Sequence, residues 1–291
     1  MNNFALLKEI DAFINRNKII LKYSQIPVRK NTVNLHMYHP EVFSSNANTY
    51  NMGDYLSEII VSYMCDVNNI VEDVITSKTK HLYAIGSILL MGYQNATVWG
   101  SGFPFEPSSL RSIPHKKTIR NLDIRCVRGP LTKMTMDRLG QKCPEVYGDP
   151  ATLLPLMYNP KIDKKIDYLV IPHYQAEESI RRNVPQENVL SMNTNDYKKV
   201  VDKICSAKRV ISSSLHGIIL AESYGIPAVF YFDMPEDYEY KYRDWYESTG
   251  RINYIKYTNF DSAFKSDGND IPNLDDMRDA LIRSFPSDLW K

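Results

Sequence analysis

The chain has 291 residues, 43% hydrophobic and 24% charged, and its 35 Lys and Arg nearly cancel 34 Asp and Glu to leave a net charge of +1. That length is enough to bury a large core and predicts about two domains, while the balanced charge argues against nucleic-acid binding through bulk electrostatics. The four cysteines (Cys65, Cys126, Cys143, Cys205) are scattered, with no Cys-x-x-Cys pair and no Cys/His cluster, so neither a disulfide framework nor a zinc site is expected.

Taken in order, residues 3–16 are predicted to be a helix, because Phe4, Leu7, Ile10 and Phe13 recur at helical spacing. This polar-interrupted pattern is not that of a signal peptide, and no apolar run reaches the roughly 18 residues that cross a bilayer. The expectation is a cytoplasmic protein, with peripheral contact at the inner face of a membrane left open. Val33–Pro40 reads as a first strand. After a polar loop, Asn51-Met52-Gly53-Asp54 opens a helix, with Gly53 permitting close backbone approach and Asp54 as the candidate N-cap. Leu82–Leu89 and Thr97–Phe103 are predicted strands that run into Gly86-Ser87 and Gly100-Ser101-Gly102. Ligands of open parallel sheets bind outside such strand ends, where glycine lets the backbone come close. The absence of a G-x-G-x-x-G fingerprint argues against a dinucleotide. Ile124–Thr132 is a strand-to-helix junction with Arg128 at its mouth and Pro130 placed to open the helix.

Tyr158–Asp167 is polar and carries Pro160 and three lysines, and is predicted to link a first domain, 1–157, to a second, 158–291. The second half begins with a strand at Tyr168–Tyr174 and continues through a helix near 196–207. Val210–Tyr231 then reads as a buried strand, a serine turn, a small-residue helix stopped by Gly225, and another apolar strand behind Pro227. Ser213 and Ser214 fall where that helix starts, a place whose free N–H groups and dipole favour an anion. His216 in the first turn can move a proton near neutral pH; a plain N-cap and a structural histidine would account for the same residues without chemistry. Strands alternating with helices in both halves predict an α/β fold: two Rossmann-like domains with parallel sheets facing a cleft, with Arg128, His173 and His216 around it. The aromatic run Tyr238–Tyr246 is either a helix packing its rings inward or a platform for sugars.

The ordered set Asn51-Met52-Gly53-Asp54, Gly100-Ser101-Gly102, Arg128-Gly129-Pro130, Gly148-Asp149-Pro150, Ile171-Pro172-His173-Tyr174 and Ser213-Ser214-Leu215-His216-Gly217 with Gly225-Ile226-Pro227 resembles the polysaccharide pyruvyl transferase family over residues 50–232. The resemblance implies a GT-B-like fold. It also implies transfer of pyruvate from phosphoenolpyruvate to two hydroxyls of a sugar, closing a cyclic ketal and releasing phosphate, with no further cofactor and no metal. The acceptor would be a bacterial-type surface polysaccharide or its precursor, free, lipid-linked or nucleotide-linked. Matched to the family's motifs, His216, Arg128 and Asp54 become the candidate catalytic residues. Arg128, Ser213, Ser214, His216 and Gly217, with Ser101 and Gly102, would hold the donor; Asn51, Asp54, His173 and Tyr174 would meet the acceptor. Some members carry an arginine directly before Leu-His-Gly where this chain has Ser214, so either another basic residue supplies that charge, with Arg125 and Lys133 as candidates, or the donor is held differently. The rival expectations are a GT-B glycosyltransferase using a nucleotide sugar and a non-catalytic carbohydrate-binding relative.

Overall fold

The structure is a computed structural model that describes residues 28–38, 50–91, 94–106 and 120–291. The helix predicted over 3–16 lies outside the described residues, as do His39 and Pro40 at the end of the first predicted strand. The first half contains β1 (Val33–His36), α1 (Met52–Val67), β2 (Lys80–Tyr83), β3 (Ala96–Trp99), β4 (Leu122–Cys126) and α2 (Pro130–Arg138). After a 3-10 turn at Pro150–Leu153 and the short α3 (Leu154–Met157) come β5 (Leu169–Ile171), α4 (Glu177–Asn183), α5 (Tyr197–Cys205), β6 (Val210–Ser212), α6 (Leu215–Ser223) and β7 (Ala228–Tyr231). The chain then runs through α7 (Glu239–Ser248), β8 (Lys256–Tyr257), α8 (Phe260–Phe264) and α9 (Asp275–Ser284).

The strands form two four-stranded parallel sheets, β1-β2-β3-β4 and β5-β6-β7-β8. Every residue of β3, β5 and β6 is buried, as expected of parallel strands covered on both faces. The α/β class predicted from the sequence is therefore the one observed. One apolar cluster runs continuously between the halves, joining Met52, Leu56 and Ile60 of α1 to Ile171, Ile218 and Phe230 of the second sheet. A short backbone bond, Met52 N–H to Met192 O at 2.6 Å, and an antiparallel bridge between Asn51 and Asn193 reinforce that contact. Among the described residues, no helix is long and apolar enough to cross a membrane.

Two helix ends decide where side chains stand. α6 stops where the sequence predicts: Gly225 takes φ +69, with Gly225 N–H bonded to Glu222 O at 3.0 Å and Ile226 N–H to Ala221 O at 2.9 Å. This is a Schellman closure, which needs the left-handed conformation that glycine adopts without strain. At α1 the expectation fails. The cap is Asn51, which is extended (φ −71, ψ 126) and accepts Gly53 N–H on its side chain at 3.0 Å; Asp54 sits inside the first turn. A cap must lie outside the helical conformation, and the close pairing of Asn51 and Met52 with 192–193 starts the helix two residues before Asp54. The Asp54 carboxylate is thereby released from capping.

Candidate active site

The start of α1 and the chain that follows the C-terminal ends of β3, β4, β5 and β6 carry the predicted site residues. At the centre is His216 in the first turn of α6. Its Nε2 lies 3.5 Å from Asp149 Oδ2, in a pair whose side chains are 12% and 1% exposed. The other Asp149 oxygen caps the 3-10 turn, accepting Ala151 N–H at 3.0 Å, so the carboxylate is fixed and aimed at the imidazole. On the other side the ring rests on Gly53: a Cβ there would stand 2.1 Å from His216 Nδ1. The buried carboxylate stands behind one ring nitrogen, in charge contact rather than hydrogen-bonded to it, and leaves Nδ1 to work.

Asp54, one residue beyond Gly53, approaches Gly86 so closely that a Cβ on that glycine would stand 3.0 Å from its Oδ1. Burial raises the Asp54 pKa from 3.8 to about 6, against the opposing charges of His216 and Lys241. Burial also lowers Lys241, with the Arg128 charge adding to the effect and Asp54 opposing it, to about 8. His173 is pushed down to about 3 by burial and by the Lys241 charge, so its ring is neutral at physiological pH and can only donate or accept hydrogen bonds. Its backbone N–H binds Ser213 Oγ at 2.9 Å. An acid whose pKa is raised on folding favours the folded state most below its unfolded pKa and loses that contribution as pH rises towards the folded value. Relative to Asp54→Asn, the wild type is expected to lose about 1.4 kcal/mol of stability per pH unit between pH 4 and 6 and to level off above, in urea melts across that range. A difference that is flat with pH would show that Asp54 is solvated like an ordinary carboxylate.

The remaining predicted residues divide. Ser213 is buried, and its carbonyl accepts the Tyr242 hydroxyl at 2.7 Å. Ser214 caps α6, its Oγ accepting Gly217 N–H at 3.4 Å. Tyr174 is 56% exposed and tilts against His173. Ser101 Oγ and Gly102 N–H both bind Gly86 O, at 2.8 and 3.1 Å, tying the two glycine loops together. The Asn51 side chain is occupied by its capping bond. Arg128 is 1% exposed: Nε binds Asp244 Oδ2 at 3.1 Å, Nη1 binds Ser87 Oγ at 2.8 Å and Nη2 binds Phe103 O at 2.6 Å. Of the five guanidinium donors, three are spent on the protein.

Neither candidate for the replacement charge stands with these residues. Arg125 pairs with Asp123 and Asp288, and Lys133 with Asp137. The cation beside Asp54 and His173 is Lys241 of α7. Sequence reasoning noticed its segment only for its aromatics, and Tyr242, Trp245 and Tyr246 are fully buried, packing inward rather than offering a platform. Among the described residues, no three His, Cys, Asp or Glu side chains come together as a metal site.

The family model for polysaccharide pyruvyl transferases matches residues 51–231, from the cap of α1 to the end of β7. The chain belongs to the polysaccharide pyruvyl transferase family. It is similar to an uncharacterised protein of Acanthamoeba polyphaga mimivirus, 25% identical over 196 residues, which are 62% of this chain and 63% of that protein. It is also similar to General stress protein 30 of Bacillus subtilis (strain 168), 31% identical over 93 residues, 32% of this chain and 24% of the relative. The chain thus spans less than two thirds of the length of either. No solved structure matches it. The pyruvyl transferase span includes His216, Asp149, Asp54 and His173 and ends before Lys241.

Proposed function

We propose that the protein transfers pyruvate from phosphoenolpyruvate to two hydroxyls of one sugar, closing a cyclic ketal and releasing phosphate. The observation that carries this is Asp54 beside the His216–Asp149 pair at the start of a buried helix, in a chain of the pyruvyl transferase family. The α6 start offers the donor phosphate the helix dipole and the first backbone N–H groups, which have no partner within a helix. Arg128, beneath Gly102, braces the glycine loops and adds positive field from below.

Ketal formation needs an acid for the enol carbon and a base for the hydroxyls. A buried carboxyl and a neighbouring imidazole can divide those roles. The Asp54 carboxyl donates its proton to the methylene carbon; the enol electron pair forms the new C–H bond and C2 becomes electrophilic. The first sugar hydroxyl adds to C2 and its proton passes to His216 Nδ1, with Asp149 stabilising the imidazolium. The C2–O bond to phosphate then breaks, the phosphate leaving with the electron pair and taking the proton from His216. The second hydroxyl adds to C2 and returns a proton to Asp54. The net result places one hydroxyl proton on the methyl group and the other on phosphate.

In the same reading, 1–157 and 158–291 form two Rossmann-like domains facing each other as in GT-B enzymes, with the acceptor on the first and the donor on the second. The acceptor is a polysaccharide sugar or its precursor, carried on lipid or nucleotide or free, and the reaction runs in the cytoplasm. Calorimetric titration with phosphoenolpyruvate, with UDP as control, and phosphate release across a sugar panel test the proposal. His216→Gln is expected to cut turnover by about 10²–10⁴ while leaving the melting temperature close to wild type. Saturable UDP binding without phosphoenolpyruvate binding would replace the pyruvyl donor with a nucleotide sugar.

A further inference from the structure

Lys241 stands in the first turn of α7 and is only 9% exposed. Among the described residues its ammonium makes no hydrogen bond and no ion pair; its close surroundings are the rings of Tyr238 and Tyr242, with centroids 5.7 and 5.0 Å away. Two other cations of this fold are matched to carboxylates: buried Arg128 to Asp244, and half-buried Arg251 to Glu222 at 2.6 Å. An ammonium on a largely buried side chain, with no protein partner, costs more than ring contacts return. The groups facing it from other elements do not remove that cost. Asp54 of α1 attracts it from beyond ion-pair distance, Arg128 from the β4–α2 turn repels it, and His173 from the loop after β5 is neutral. The Tyr242 hydroxyl, one residue along, binds Ser213 O at 2.7 Å and pins this turn of α7 to the start of α6. There the Ser214 side chain is already spent on its cap.

We propose that Lys241 is an anion-binding residue of the active site, whose ammonium pairs with the phosphate of the donor seated at the N-terminus of α6. This rests on the donor reading above for the identity of the anion. Lys241 supplies the positive charge that Ser214 cannot, from the turn of α7 that is pinned to the start of α6. Because its pKa is lowered to about 8, the ammonium is charged below that pH and neutral above it. Donor affinity is therefore full near pH 7 and falls as pH rises past 8, a window above the titration of Asp54 and of an ordinary histidine.

Calorimetric titration of phosphoenolpyruvate into the wild type, Lys241→Met and Lys241→Arg at pH 7 and pH 9.5 tests this. The wild type should lose about tenfold or more in affinity between the two values. Lys241→Met should bind about tenfold or more weakly already at pH 7 and show no further pH dependence, since it lacks the charge throughout. Lys241→Arg should keep its affinity at pH 9.5, because a guanidinium stays protonated. The methionine variant should also melt about 2–4 °C higher or more, as an unpartnered buried charge is removed, which separates lost binding from lost folding. Wild-type affinity in Lys241→Met, or the same pH loss in Lys241→Arg as in the wild type, would overturn the assignment. Should the wild type bind UDP and not phosphoenolpyruvate, the pyruvyl donor falls, and the same three proteins titrated with UDP decide the role of Lys241. Binding of neither anion by the wild type overturns both.

Discussion

Gly53→Ala should abolish transfer while the chain still folds. A Cβ at this position would stand 2.1 Å from His216 Nδ1, 2.7 Å from Cγ and 2.9 Å from Cε1, far inside any tolerated contact. The imidazole has little room to yield, because Nε2 is buried against Asp149 and the side chain is only 12% exposed. Residue 53 lies in the first turn of a sixteen-residue helix, where alanine is favoured over glycine by about 0.5–1 kcal/mol. That gain offsets part of the strain of moving the ring. Displacing a reacting group by about 1 Å costs on the order of 10² in rate, so phosphate release from phosphoenolpyruvate with an active acceptor should fall by at least that factor, with a melting temperature near wild type. Full activity in this variant would mean that His216 does not act from the position it occupies.

The second large effect concerns stability. Asp244→Ala should cost about 3–5 kcal/mol, because it strands a guanidinium that is 1% exposed. Asp244 binds Arg128 Nε at 3.1 Å, Thr132 Oγ1 at 2.6 Å and Thr132 N–H at 3.0 Å. All three donors come from the β4–α2 junction, so this carboxylate of α7 is a polar fastener between the halves. Measured against a typical total of 5–15 kcal/mol, the loss should appear as a much lower urea midpoint or as insoluble protein. The double variant Arg128→Met, Asp244→Leu should recover most of it, since replacing both members of a buried pair by apolar groups removes the unpaired charge. A single-variant loss under about 1 kcal/mol would show that water reaches the pair.

What the sequence determined by itself was local. Uninterrupted apolar runs of strand length specify parallel strands, and a Ser-Ser turn before a small-residue segment, with Gly225 and Pro227 after it, specifies both ends of α6. The two sheets and the placing of the glycine loops at strand ends follow from the same rules, which act within about ten residues. Family membership was legible too, because the motifs sit on those strand ends and turns in a fixed order.

Only the tertiary structure decided what the charged residues do. Pairing with residues 192–193 moved the start of α1 to Met52, handed the cap to Asn51 and freed Asp54. Asp149, part of a motif but assigned no role, became the partner of His216. Arg128, placed at a strand mouth, found Asp244 116 residues further on. Arg125 and Lys133 found carboxylates elsewhere, and among the described residues Lys241 was left without one. The physical reason is that hydrophobic period and turn chemistry are properties of a short stretch of chain. Desolvation and charge pairing belong to the neighbours that folding brings together, and those neighbours have no fixed spacing in the sequence.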